Sequence, residues 1–142
     1  FDNPPHVGGD AMEHGWGKTD LGLYGGSYAG FIGALVEPTN VEGILSIDPV
    51  ATEVILPEAY PTRLFFNPHN EPRLVNWEMG ENPVQVYEAI QNSLLEQSIT
   101  GSFSFEIEAK QAVMLVFVPA NKTMEIVNSM LVCEGIVVDF NP

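Results

Sequence analysis

The chain has 142 residues, enough for one compact domain or for a domain with a helical appendage. Nineteen acidic residues against five basic ones give a formal net charge of −14, and an apolar fraction of 45% argues for a folded protein rather than a disordered one. Five Lys and Arg, spread from Lys18 to Lys122, cannot neutralise a phosphate backbone or hold an anionic bilayer, so nucleic acid and membrane surfaces are not expected partners.

Residues 1–19 hold Pro4-Pro5, Gly8-Gly9 and His14-Gly15-Trp16-Gly17, too many breakers for regular structure. Thr19 or Asp20 is placed to cap a helix running to about Leu35, ending before Pro38. Glycines inside it cost about 1 kcal/mol each relative to alanine, a cost that only close packing against a neighbour offsets. A glycine-bent pair of strands is the competing reading of the same stretch. The apolar run Leu21–Val36 is 16 residues long and carries five glycines, short of the roughly 20 residues that cross a bilayer. No membrane insertion is expected. Leu56-Pro57-Glu58-Ala59-Tyr60-Pro61 reads as an extended connector, which divides the chain into a Gly-rich loop and helix segment, 1–56, and a β domain, 57–142.

Beyond that connector the period is two. Thr62–Asn67 reads as a strand, closed by the turn Pro68–Pro72, with Arg73–Trp77 as its hairpin partner. Residues 83–95 are ambiguous. Asn82-Pro83 resembles a helix start and Val84, Tyr87, Ile90 and Leu94 follow at helical spacing, while Val84-Gln85-Val86-Tyr87 is β-branched and aromatic with a turn at Asn92-Ser93. The β surroundings favour two strands. In Phe103–Glu108, Phe103, Phe105 and Ile107 alternate with Ser104, Glu106 and Glu108, which predicts one buried and one wet face. Ala112–Val118 is continuously apolar and fits a strand buried on both faces. Met124–Val127 and Met130–Phe140 supply further strands, with turns at Asn128-Ser129 and Glu134-Gly135. Seven or eight short strands predict a mainly β protein, an antiparallel β-sandwich preceded by a short Gly-rich helical or loop segment.

The densest polar and aromatic cluster is Asp10, Glu13, His14, Trp16, Lys18 and Asp20, with Tyr24 downstream. A glycan-processing site needs paired carboxylates and an aromatic surface for the apolar face of a sugar, and these residues supply both. The same residues fit a Trp16 that fills a core gap among solvated acids. The histidines His6, His14 and His69 lack metal-ligand spacing, and neither metal nor cofactor is expected. Gly25-Gly26-Ser27-Tyr28-Ala29-Gly30 falls one residue short of a nucleophile elbow, and the only downstream histidine is His69, in a turn. Cys133 lies among Leu131, Val132 and Ile136, as a buried structural thiol would, and a single cysteine excludes an internal disulfide.

Gly9–Tyr24 and Thr39–Leu45 resemble the closing stretch of a bacterial helical-toroid carbohydrate-active enzyme. Tyr60–Pro68 and Ala112–Pro119, the latter of the Ala-Val-x-Leu-Val-x-Val-Pro type, are similar to the accessory β-sandwich that follows such catalytic domains. The resemblance implies the C-terminal portion of a glycan-degrading enzyme, a glycoside hydrolase, acting on carbohydrate in a secreted or periplasmic setting. A toroid needs several hundred residues, so another chain or a missing segment would complete the fold. No residue is assigned as catalytic, and Asp10, Glu13, His14, Trp16, Lys18, Asp20 and Tyr24 become substrate-contacting candidates. The alternative is a noncatalytic extracytoplasmic β-sandwich module for glycan binding or assembly.

Overall fold

The computed structural model describes residues 32–51 and 58–142. Glu37–Pro142 form one compact unit, set apart from the residues that precede it. Residues 32–35 make a single helical turn that ends where the sequence predicts, and the rest of the expected helix lies outside the described residues. The expected division at residue 57 likewise falls outside them.

Nine strands follow in chain order: β1 (Val36–Pro38), β2 (Leu45–Ile47), β3 (Thr62–Phe66), β4 (Arg73–Glu88), β5 (Ser93–Ile107), β6 (Ala112–Pro119), β7 (Met124–Val127), β8 (Met130–Cys133) and β9 (Ile136–Asp139). They form a six-stranded sheet in the order β1-β2-β3-β6-β4-β5 and a three-stranded sheet, β7-β8-β9. The mainly β, antiparallel expectation holds. The ambiguous stretch is strand: Val84–Glu88 pairs with β6 on one side and β5 on the other. Two sets of ladder bonds outweigh a weak helical spacing.

Two expectations are corrected. β3 and β4 do not form a hairpin, because β6 lies between them and pairs with both. The strands are also not uniformly short, since β4 and β5 run 16 and 15 residues. The long hairpin is also bent. Gly80 faces Gly101 across the β4/β5 ladder, both at positive φ (85° and 72°), with register shifts on either side of Gly80. Glycine adopts this backbone at no steric cost, and the bulges turn a long hairpin out of its plane. The half of the hairpin beyond the bend lies over the face of β3 and β6. Phe65 of β3 meets the Phe105 ring at 5.0 Å and the Trp77 ring at 5.4 Å. In a flat sheet β3 and β4 stand about 10 Å apart, so contacts this close require two layers.

The first core fills that fold, with Ile44, Phe65, Val75, Val86, Phe103, Phe105, Ile107, Val113, Leu115 and Phe117. The strict alternation of β5 appears as buried Phe103, Phe105 and Ile107 against exposed Ser104 and Glu106. β6 sends Val113, Leu115 and Phe117 to this core and Val116 and Val118 to a second one, which explains its unbroken apolar run. The second core joins Tyr60, Tyr87, Val116 and Val118 to Cys133 and Val138 of the small sheet. Both expected turns there are tight, with positive φ at Asn128 (51°), Ser129 (64°), Glu134 (51°) and Gly135 (84°), the geometry of two-residue type I′ hairpins.

Asn67 fastens the crossing between layers. Its buried Nδ2 donates to the carbonyls of Glu71 and Ile107, each at 2.9 Å, and of Glu108 at 3.2 Å. Its Oδ1 accepts from the His69 backbone N–H at 2.9 Å. Asn67→Ala strands these buried groups and is expected to cost about 2–3 kcal/mol in denaturant unfolding.

The two sheets are tied by phenols. Tyr87 donates to Asp139 Oδ2 at 3.0 Å, and Tyr60 donates to the Cys133 carbonyl at 3.2 Å. Burial first, then the hydrogen bond to Asp139, pushes the Tyr87 hydroxyl up to about 12 from its ordinary 10.0. Burial and the Cys133 contact likewise push Tyr60 up to about 12. A raised phenol favours the neutral form in the folded state, so its stabilisation is complete below pH 10 and lost between about 10 and 12. Unfolding titrations are expected to show a fall of up to roughly 3 kcal/mol per tyrosine across that window. Tyr87→Phe is expected to remove about half of that slope.

Candidate functional site

Along β4 half-buried Trp77 and Met79 alternate with exposed Glu78 and Gly80, and the alternation is lost only at Glu81, Asn82 and Pro83, where the register shifts. Trp77, Glu78 and Met79 all line one cavity beside that irregularity. Its volume is about 440 Å³, within the range of small-molecule sites. Val84 and Phe117 add apolar wall, Tyr60 and Pro61 close one side, and Glu37, Arg63 and Asn82 complete the polar lining. Glu37, Glu78 and Asn82 are exposed, while Trp77 is half-buried.

Arg63 organises this groove. Its guanidinium donates from Nη1 to Asp48 and to the Thr62 carbonyl (3.1 Å), and from Nη2 to Glu37 Oε1 (3.5 Å). The same group stands 5.9 Å from the Trp77 ring centroid, within reach of its π-face. Phe65 meets the indole in a T-shaped arrangement, with 74° between the rings. The Arg63 and Asp48 side chains are only 19% and 20% exposed, so this pair is screened less by water than an ordinary surface pair. The indole is thus fixed from two directions before any ligand arrives.

A second cavity, about 500 Å³, lies between the sheets. Tyr60, Met114, Val116, Ile136, Val138 and Phe140 make it largely apolar, with Glu58 and Glu134 as its acids.

The predicted substrate-contacting residues Asp10, Glu13, His14, Trp16, Lys18, Asp20 and Tyr24 lie outside the described residues, as do His6 and the Ser27 elbow-like stretch. His69 is a loop clamp, its Nε2 2.8 Å from the Glu42 carbonyl and its ring against Gly43. Cys133 is a free, buried thiol, as its neighbours imply. Among the described residues no three His, Cys, Asp or Glu side chains are grouped to hold a metal ion. No described helix is long and apolar enough to cross a membrane.

Sequence reasoning missed Glu88, a carboxylate only 3% exposed. Its oxygens accept the backbone N–H groups of Ile90 (3.1 Å), Gln91 (2.5 Å) and Met114 (3.0 Å). Every one of these partners is main chain, so Glu88 secures the β4/β5 turn to β6. Sequence reasoning also missed the Trp77 groove. Its one visible sign was the loss of alternation after Met79, in Gly80-Glu81-Asn82-Pro83.

No protein-family model matches the chain, and no curated protein matches its sequence. A solved structure of a candidate alpha-N-acetylgalactosaminidase from Bacillus halodurans C-125 superposes with a TM-score of 0.42 and 18% identity. The overlap covers 54% of this chain and 18% of that one. The chain therefore spans under a fifth of that structure's length.

Arg63→Ala removes the group that joins Asp48, Glu37 and Trp77. Thermal unfolding is expected to shift by about 1–2 kcal/mol, and Trp77 emission to move to longer wavelength as water reaches the indole.

Proposed function

We propose that the chain is the C-terminal portion of a glycan-degrading enzyme, a glycoside hydrolase, whose β-sandwich serves as accessory domain and contacts saccharide at the Trp77 groove. The observation that carries this reading is the immobilised indole beside the exposed polar groups of Glu37, Glu78 and Asn82. A pyranose presents an apolar face of C–H groups edged by hydroxyls, and such a ligand needs an aromatic surface and convergent hydrogen-bonding side chains together. The resemblance of Tyr60–Pro68 and Ala112–Pro119 to accessory sandwiches of carbohydrate-active enzymes points the same way. Arg63 and Phe65 hold the ring in place, so little side-chain entropy is lost on binding.

In this reading the groove binds and positions, and the bond-breaking carboxylates belong to the part of the enzyme that precedes the sandwich. Trp77→Ala in the intact protein is expected to weaken glycan affinity about tenfold, near 1.4 kcal/mol, measured on a glycan array and then by calorimetry on the retained oligosaccharide. Turnover of that oligosaccharide is expected to show a raised KM with little change in kcat. Unchanged binding and kinetics would sink the proposal.

A further inference from the structure

We infer that the Trp77 groove discriminates by charge, rejecting uronate and sulfated glycans and favouring neutral or amine-bearing ones; the inference rests on the saccharide reading above. The groove's lining includes Glu37 and Glu78, both exposed, against one cation, Arg63. That cation is already committed. Its guanidinium holds Asp48 and Glu37, and its side chain is only 19% exposed. A fork that has bound two carboxylates has little left to offer a third.

No other described cation stands in for it. Arg73 pairs with Glu71 at 3.2 Å, Lys122 pairs with Glu134 at 2.5 Å, and Lys110 donates to the Pro68 carbonyl at 2.5 Å. None of the three lines the groove. The surrounding chain, at a formal −14, adds a field of the same sign. An incoming carboxylate or sulfate would meet Glu78 and Glu37 with only the neutral amide of Asn82, and no free cation, to set against them. An ammonium on the same ring would meet two acceptors of opposite charge. One such unit-charge contact at about 4 Å in water corresponds to roughly a fivefold change in affinity.

The test is a glycan array with the intact protein at about pH 6, where an amino sugar is protonated. The probes are glucosamine oligosaccharides, their N-acetylated counterparts, neutral hexose oligosaccharides, oligogalacturonates and sulfated glycans. Retention of neutral and amine-bearing probes without the two anionic classes is expected. Where an amine and its acetylated form are both retained, the amine is expected to bind about five- to tenfold tighter. Glu78→Gln should abolish most of that preference. Glu106→Gln, an exposed acid on β5 outside the groove, should leave it in place.

Retention of oligogalacturonate or sulfated glycan as strongly as neutral probes, lost in Trp77→Ala, would overturn the charge inference and leave the saccharide reading standing. An equal effect of Glu106→Gln and Glu78→Gln, or no amine preference, overturns it as well. Retention of no glycan, or retention that Trp77→Ala leaves untouched, removes the saccharide reading and this inference with it.

Discussion

Everything in this sheet depends on the backbone at Gly80 and Gly101. Two residues at positive φ, facing each other across one ladder, allow a hairpin of more than 30 residues to leave its plane and return over its neighbours. Without the bend, Phe103, Phe105, Ile107 and Val75 would have no opposing layer, and the largest apolar cluster would face water. A side chain at either position forces a left-handed backbone on a residue with a Cβ, costing roughly 1–2 kcal/mol before any packing is lost. The groove lies beside the same bend. Trp77, Glu78 and Met79, which line it, come immediately before Gly80 in β4, so architecture and candidate site meet at one stretch of strand.

The division of labour among the polar groups follows from burial. Asn67 and Glu88 are buried and meet mainly main-chain partners, which makes them fastenings of the fold. Arg63 is different, because its partners are two carboxylates and an indole from three separate stretches of chain. It uses one charge to pin the aromatic surface and to cancel itself as an anion receptor. A structural contact thereby sets what the groove has left to offer a ligand.

Much of this was legible in the residues. The alternation of Phe103, Phe105 and Ile107, the apolar run of β6, and the Asn128-Ser129 and Glu134-Gly135 turns are local patterns, and local patterns survive folding. The choice of strand over helix at 83–88 followed from context, and the ladder on both sides bears it out. The missing hairpin between β3 and β4 was not legible. Pro68–Pro72 has the composition of a turn, but composition does not say whether the next strand lies beside the last one or on top of it. The groove was hidden for a related reason. Glu37, Arg63, Trp77 and Asn82 come from stretches up to 45 residues apart, and only the fold-over brings them together. Asp10 to Tyr24, by contrast, stand out as a cluster because they are neighbours in sequence.

Tyr60 belongs to two places at once. One edge of its side chain closes the groove, and the other lines the space between the sheets, where its hydroxyl reaches the Cys133 carbonyl. The back wall of the groove is therefore the front wall of a seam. Whatever loosens the three-stranded meander releases that wall, even though no meander residue touches the groove. The shape of the groove and the docking of the small sheet are in this way linked through a single phenol.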